Sequence, residues 1–197
     1  MNRPLTGAVA LTLCLSAGAA HAGDCKDAGQ YAAKLVEAAK KICEEGQGRF
    51  KNCDVKKVGG VVDQAAYWIK WWNDMAGNTW AKIGPRQLSF NAQDKGTLLN
   101  PGVRTFISIG PSAGRGKVVI TALDGKAGVD VSYCAIKSDG SVEFLGKDSV
   151  GSGQSPPPRE LSEAEIGGKF VVVKLDGTGG ALKRYEYNIV LEGTMVR

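Results

Sequence analysis

Every tryptophan in the chain falls within one short stretch. Tyr67, Trp68, Trp71, Trp72 and Trp80 crowd together there, with Lys70 among them and Lys82 just after. On a helix, Trp68 and Trp72 share a face and Trp71 sits on its shoulder. Two roles fit such a cluster. The rings can pack between layers, because Trp is large and mostly buried in folded proteins. Or they can project as anchors at the wet–dry boundary of a membrane or a glycan, with Lys70 beside them. One helix face does not readily bury Trp68, Trp71 and Trp72 together, so both roles stay open.

Catalytic residue types are scarce. Met1 to Ala22 reads as a secretory leader: Arg3 is the positive start, residues 8–17 are apolar, and Ala20-His21-Ala22 is a small-x-small cleavage site. The apolar run is too short for a bilayer, which needs ~20 residues. The sole histidine, His21, belongs to this leader. The expected mature chain therefore has no Ser-His-Asp triad, Cys-His dyad or His-ligated zinc. Loss of Arg3 takes the net charge from +5 to +4, too mild to argue for nucleic acid. Glu160, Glu163 and Glu165 lie in a polar stretch, and Ser162-Glu163-Ala164-Glu165 reads as a helix capping box. Gly110 to Lys117 looks superficially like a phosphate loop. Its glycine spacing is wrong, Val118 follows the Lys, and a strand-like run stands where a helix is required. It reads as a hairpin loop whose Arg115 and Lys117 can face an anionic surface.

Cys14 leaves with the leader, so Cys25, Cys43, Cys53 and Cys134 remain. An even count in an exported chain predicts two disulfides. A helix between Cys25 and Cys43 would hold them ~27 Å apart, whereas a disulfide needs Cα atoms within ~7 Å. Of the three possible connectivities, the one with Cys25–Cys43 is therefore disfavoured. Cys43–Cys53, which closes a short loop, is preferred, leaving Cys25–Cys134 to staple the N-terminus to the later sheet. No Cys-x-x-Cys pair suggests a metal site, and no cofactor is expected.

These residues need elements to position them. Residues 24–46 carry Ala28, Tyr31, Ala32, Leu35, Ala39 and Ile42 at helical spacing. Residues 54–75 carry a second stripe through Val58, Val61, Val62, Ala65, Ile69 and Trp72. Its Gly59-Gly60 pair weakens the first turns, and Tyr67–Trp72 also suits a strand. The two stripes predict a helical hairpin over residues 23–77, clasped by Cys43–Cys53. From Asn78 onward the chain reads as short strands: Thr79–Ile83, Gln87–Phe90, Val103–Ile109, Lys117–Leu123, Val129–Ile136, Val142–Leu145, Lys169–Leu175 and Arg184–Leu191. Asp124-Gly125, Asp139-Gly140 and Asp176-Gly177 are hairpin-turn signals, and Asn100-Pro101-Gly102 is a further turn. Gly151 to Arg159 is a long loop. The expected fold class is α+β: an N-terminal helical hairpin packed on an antiparallel β-sandwich of about eight strands, residues 78–197, in one compact unit.

The order of an N-terminal amphipathic helix, Gly77-Asn78-Thr79-Trp80, Gly96-Thr97, a Gly-rich turn, Ala127-Gly128-Val129 and Asp139-Gly140 resembles actinoporin-like β-sandwich cytolysins. It resembles aegerolysin-like proteins more loosely. The likeness covers about residues 80–140. It implies a sandwich and a membrane-lipid partner, and it assigns no functional residue. The chain departs from the pattern in its cysteines, and only Tyr185 and Tyr187 stand where the actinoporins' late aromatic headgroup pocket would be.

The expectation that follows is an exported, periplasmic or secreted, non-catalytic protein that binds a lipid or glycan surface. Trp68, Trp71 and Trp72 would be its apolar anchors, with Lys70, Arg115 and Lys117 assisting electrostatically. A protein-binding module (an inhibitor, immunity or envelope assembly protein) is the alternative, and a carboxylate-dependent hydrolase the second alternative. No nucleic-acid partner and no transmembrane segment in the mature chain are expected.

Overall fold

The computed structural model describes residues 25–32, 34, 86–88, 90–109, 114–137 and 140–195. Nine strands run through them: β1 Arg86–Gln87, β2 Gln93–Leu99, β3 Val103–Ile109, β4 Gly114–Gly125, β5 Gly128–Ile136, β6 Val142–Val150, β7 Arg159–Leu161, β8 Phe170–Thr178 and β9 Arg184–Met195. Helix α1 spans residues 26–32, and α2 is the single turn Glu163–Ile166. The strands form a five-stranded sheet, in the order β1-β3-β8-β5-β6, and a four-stranded sheet, in the order β2-β9-β4-β7. All pairings are antiparallel except the two-residue contact of β1 with β3.

Alternation along the strands builds the core. Tyr185, Tyr187, Ile189 and Leu191 of β9 face inward, joined by Val118 and Ile120 of β4 and Leu98 of β2. Phe106, Val129, Val131, Tyr133, Val171, Val173 and Leu175 meet them from the five-stranded sheet. The outer face of the four-stranded sheet carries polar side chains. By contrast, β5 is buried along almost its whole length, outward-facing Ser132, Cys134 and Ile136 included. Helix α1 lies on that outer face. Cys25 is bonded to Cys134 with a Cα–Cα distance of 6.1 Å, Ala28 and Ala32 are buried, the Tyr31 hydroxyl is bonded to Thr105, and Lys174 Nζ stands 3.6 Å from Asp27.

The α+β expectation is overturned. The described chain is an antiparallel two-sheet β structure with two short helices, and a helical hairpin is not a layer of it. Its hydrophobic core closes between the sheets, so the core requires no helical cover. The helical spacing does hold for Ala28, Tyr31 and Ala32. Residues 35–77, which carry the rest of the expected hairpin, lie outside the described residues, as does the leader.

Successive strands mostly change sheet. Only β5 and β6 are neighbours in both sequence and sheet, and Lys137 N donates to Ser141 O at 2.8 Å in their turn, where Gly140 has φ 83°. This corrects two of the three Asp-Gly turns. Asp124-Gly125 ends β4 and leads into the crossing to β5, while Asp176-Gly177 lies inside β8 opposite Asp130 and Val129. Gly114 to Lys117, expected in a loop, is the first part of β4.

Candidate binding surface at one pole

The Trp68, Lys70, Trp71 and Trp72 cluster lies outside the described residues, as do Cys43 and Cys53. The Cys25–Cys134 pair is formed as expected. Arg115 and Lys117 point outward from β4 on the four-stranded sheet. Lys117 Nζ stands 3.6 Å from Glu160, and its register partner on β9 is Glu192. The two cations are thus interleaved with acids and do not make a basic patch.

An arginine closes each long edge of the sandwich. At one, Arg86 of β1 reaches Asp94 of β2 at 3.1 Å. At the other, Arg159 of β7 donates to the Leu145 carbonyl on β6, pairs with Glu165 at 3.2 Å, and lies 6.0 Å from the Tyr133 ring centroid. Gly146, with φ 154°, leaves room for that guanidinium: an added Cβ would sit 3.3 Å from it.

These edge groups are poorly matched to proton transfer. Burial, reinforced by the Asp148 carboxylate, holds the Tyr133 phenol far above its ordinary value. Burial pushes the Tyr185 phenol up to about 12. Partial burial raises the Glu165 carboxyl, but hydrogen bonds from Ser162 and the Arg159 guanidinium outweigh it, and the group is held below the usual carboxylate range. Glu143 is likewise held low, because Lys169 and Lys137 outweigh its partial burial. A general acid at neutral pH needs the opposite shift. Among the described residues, no three His, Cys, Asp or Glu side chains gather as metal ligands. No described helix is long and apolar enough to cross a membrane.

A different surface emerges where strands end. The ends of β2, β4 and β8 and the starts of β3, β5 and β9 meet at one pole. Asn100 N donates to Lys183 O, Lys126 N to Arg184 O and Gly177 N to Gly102 O, each at 2.9 Å. The exposed large apolar side chains of the described residues all stand here: Leu182 at 83% exposure, Leu123 at 54%, Leu99 at 53% and Val103 at 51%. Leu99 lies opposite Arg184 in the β2–β9 ladder, and Leu123 is the bulged residue between Ala122 and Asp124. Lys126, Lys183 and Arg184 are exposed around them, as is Asp124, with Asp176 opposite Val103 and Glu186 opposite Asp124 partly exposed. Beneath, Asn100 is buried, and its amide donates to the Gly179 and Gly180 carbonyls, the latter at 3.0 Å. The segment after β6 is bound to the same end. Tyr185 donates to Gln154 O, and Ala122 N donates to Ser155 Oγ, both at 2.9 Å.

The sequence reading missed this surface. Leu99, Val103 and Leu123 look like ordinary strand residues, and only the topology shows that their ends coincide. Leu182 did carry a signal, as a large apolar residue in the turn Gly179-Gly180-Ala181-Leu182 directly before Lys183-Arg184.

No protein-family model and no curated protein matches the chain. Among solved structures, the chain is similar to a Yersinia pseudotuberculosis-derived mitogen, with 13% identity and a TM-score of 0.40, over 50% of this chain and 83% of that one. It is similar to the pre-peptidase C-terminal domain of a Bacillus anthracis collagenase, with 10% identity and a TM-score of 0.37, over 55% of this chain and 94% of that one. It is also similar to the infectious bursal disease virus VP2 subviral particle, with 13% identity and a TM-score of 0.29, over 52% and 30% of the two chains. At these scores the likenesses carry no argument about function.

Proposed function

We propose that the protein is an exported, non-catalytic binding module that acts at a lipid or glycan surface and docks through the pole of the sandwich. One observation carries this reading: the large apolar side chains most open to water share that pole with three exposed cations. Leu99 on the four-stranded sheet and Val103 on the five-stranded one flank that end from opposite outer faces, with Leu182 in the connection between the sheets. Exposed apolar groups gathered at one end of a fold mark an interaction surface. The Cys25–Cys134 bond suits an oxidising compartment, as the leader-like start of the sequence does. The cytolysin resemblance implies the same kind of partner. Trp68, Lys70, Trp71 and Trp72 would add to the same adhesion, and Arg115 and Lys117, beyond the pole, are not needed for it.

Vesicle co-sedimentation and a glycan array test the reading. Wild type should bind one of the two surfaces, and Leu182→Ser should bind it about tenfold less, since burying a leucine is worth ~1.5–3 kcal/mol. Absence of binding to both surfaces would refute it.

A further inference from the structure

Leu182 sits where neither burial nor backbone preference would place it. Lys183 N donates to Gly180 O at 3.3 Å, which makes Leu182 the third residue of a turn. Its φ is 62°. That position favours Gly or Asn, because a side chain in the left-handed region is strained. A bulky residue held there, 83% exposed, gains nothing within the fold to offset that strain. Strain of this kind collects at functional sites. The turn is also held firmly, with Leu182 N donating to Asn100 O at 2.8 Å from the buried Asn100.

Resting on the surface-binding reading above, we infer that the pole docks on an anionic lipid bilayer, with Leu182 as its inserting tip. Two features favour a bilayer over a glycan. The exposed groups are aliphatic, which matches acyl chains. A sugar face calls for an aromatic ring, and the pole's Tyr185 and Tyr187 are buried. Charge selects the lipid. Lys183 and Arg184 follow Leu182 directly, and Lys126 is bonded through its backbone N–H to Arg184 O. These three cations are exposed, and the acids near them are the exposed Asp124 and the partly exposed Asp176 and Glu186. Cations at that depth gain from an anionic leaflet, and salt screens the gain.

The test uses the full mature chain and phosphatidylcholine vesicles, with and without phosphatidylglycerol. Wild type should prefer the anionic vesicles, and added salt should weaken that preference. Leu182→Gly should raise the melting midpoint yet weaken vesicle binding about tenfold or more. A residue with a merely structural role would not move those two readouts in opposite directions. Lys183→Glu with Arg184→Glu should abolish the preference for anionic vesicles. Arg115→Glu, about 26 Å from Leu123 along β4, should leave it unchanged. A fluorophore on Leu182→Cys should shift to the blue on anionic vesicles only.

Glycan binding without vesicle binding would overturn the bilayer inference and leave the surface-binding reading standing, and equal wild-type binding to both vesicle types would overturn the anionic selection. Leu182→Gly that binds like wild type would overturn the assignment of the tip. A label already blue in the free protein would place a protein segment or a second copy over the pole and overturn the inference. Failure to bind any vesicle or glycan would overturn both.

Discussion

The Asn100 side chain joins two connections that are far apart in sequence. Its amide donates to the Gly179 and Gly180 carbonyls, and its backbone exchanges hydrogen bonds with Leu182 and Lys183. Replacement by alanine would remove two hydrogen bonds to carbonyls of exposed loop glycines, which water can partly replace, at a cost of about 1–2 kcal/mol. Asn100→Ala should therefore lower the unfolding free energy measured by chemical denaturation by an amount in that range. A change near zero would mean that the turn holds itself. The sequence marked Asn100 only as part of an Asn-Pro-Gly turn, which it is. Its partners, some 80 positions later, were not legible, because no local pattern reports a long-range side-chain bond. Gly96 makes the same point. It lies opposite Tyr187, and an added Cβ would come 2.6 Å from the tyrosine oxygen. Nothing local marks it as the gap in β2 that the ring fills.

At the scale of elements, the strands with clear apolar alternation or apolar runs were readable. Val103–Ile109 is β3 to the residue, and Val129–Ile136 falls one residue short of β5. By contrast, β2 went unseen, because Gln93-Asp94-Lys95-Gly96-Thr97 offers the core a glycine and an acid where a strand pattern expects apolar groups. The three-residue β7 is too short to show a period. The Asp-Gly pairs misled because a turn signal says that the chain bends, not that both flanking strands share a sheet. Helix α2 was legible through its cap, and Ser162 N donates to Glu165 Oε2 at 2.8 Å as the capping box requires. A pH prediction belongs to this element. The Glu165 carboxyl is held low in the fold by Ser162 and Arg159 against its partial burial. A depressed native value adds stability above the unfolded-state value of about 4.3, and that stability is lost as pH falls through the native value. Glu165→Gln should therefore be less stable than wild type near neutral pH, by up to about 1 kcal/mol. The difference should close in acid. A gap that persists at low pH would mean that packing, not charge, makes the contribution.

The whole molecule is asymmetric about its two sheets. One sheet presents a polar outer face to water, while the other is covered on its outer face by α1, which the Cys25–Cys134 bond holds in place. The pairing was legible because helix length disfavours Cys43 as the partner and a short Cys43–Cys53 loop takes up Cys53, which leaves Cys134. The pole was not, because it exists only once six strand ends converge. The bond spans a sequence separation of 109 residues, and a closed loop of that size restricts the unfolded chain by about 4–5 kcal/mol on the chain-entropy account. The buried Ile107, Ile136 and Val172 lie on the face that α1 covers, so the bond also guards apolar surface. Cys25→Ser with Cys134→Ser should lower the melting temperature and raise binding of a hydrophobic dye, as that face opens. The far-UV signature of the sheets should survive, because the core closes between the two sheets without α1. Dye binding equal to wild type would show that α1 stays docked by packing alone. Loss of the sheet signature would show that the sandwich depends on its covering segment, making the described β structure one cooperative unit with its N-terminal staple.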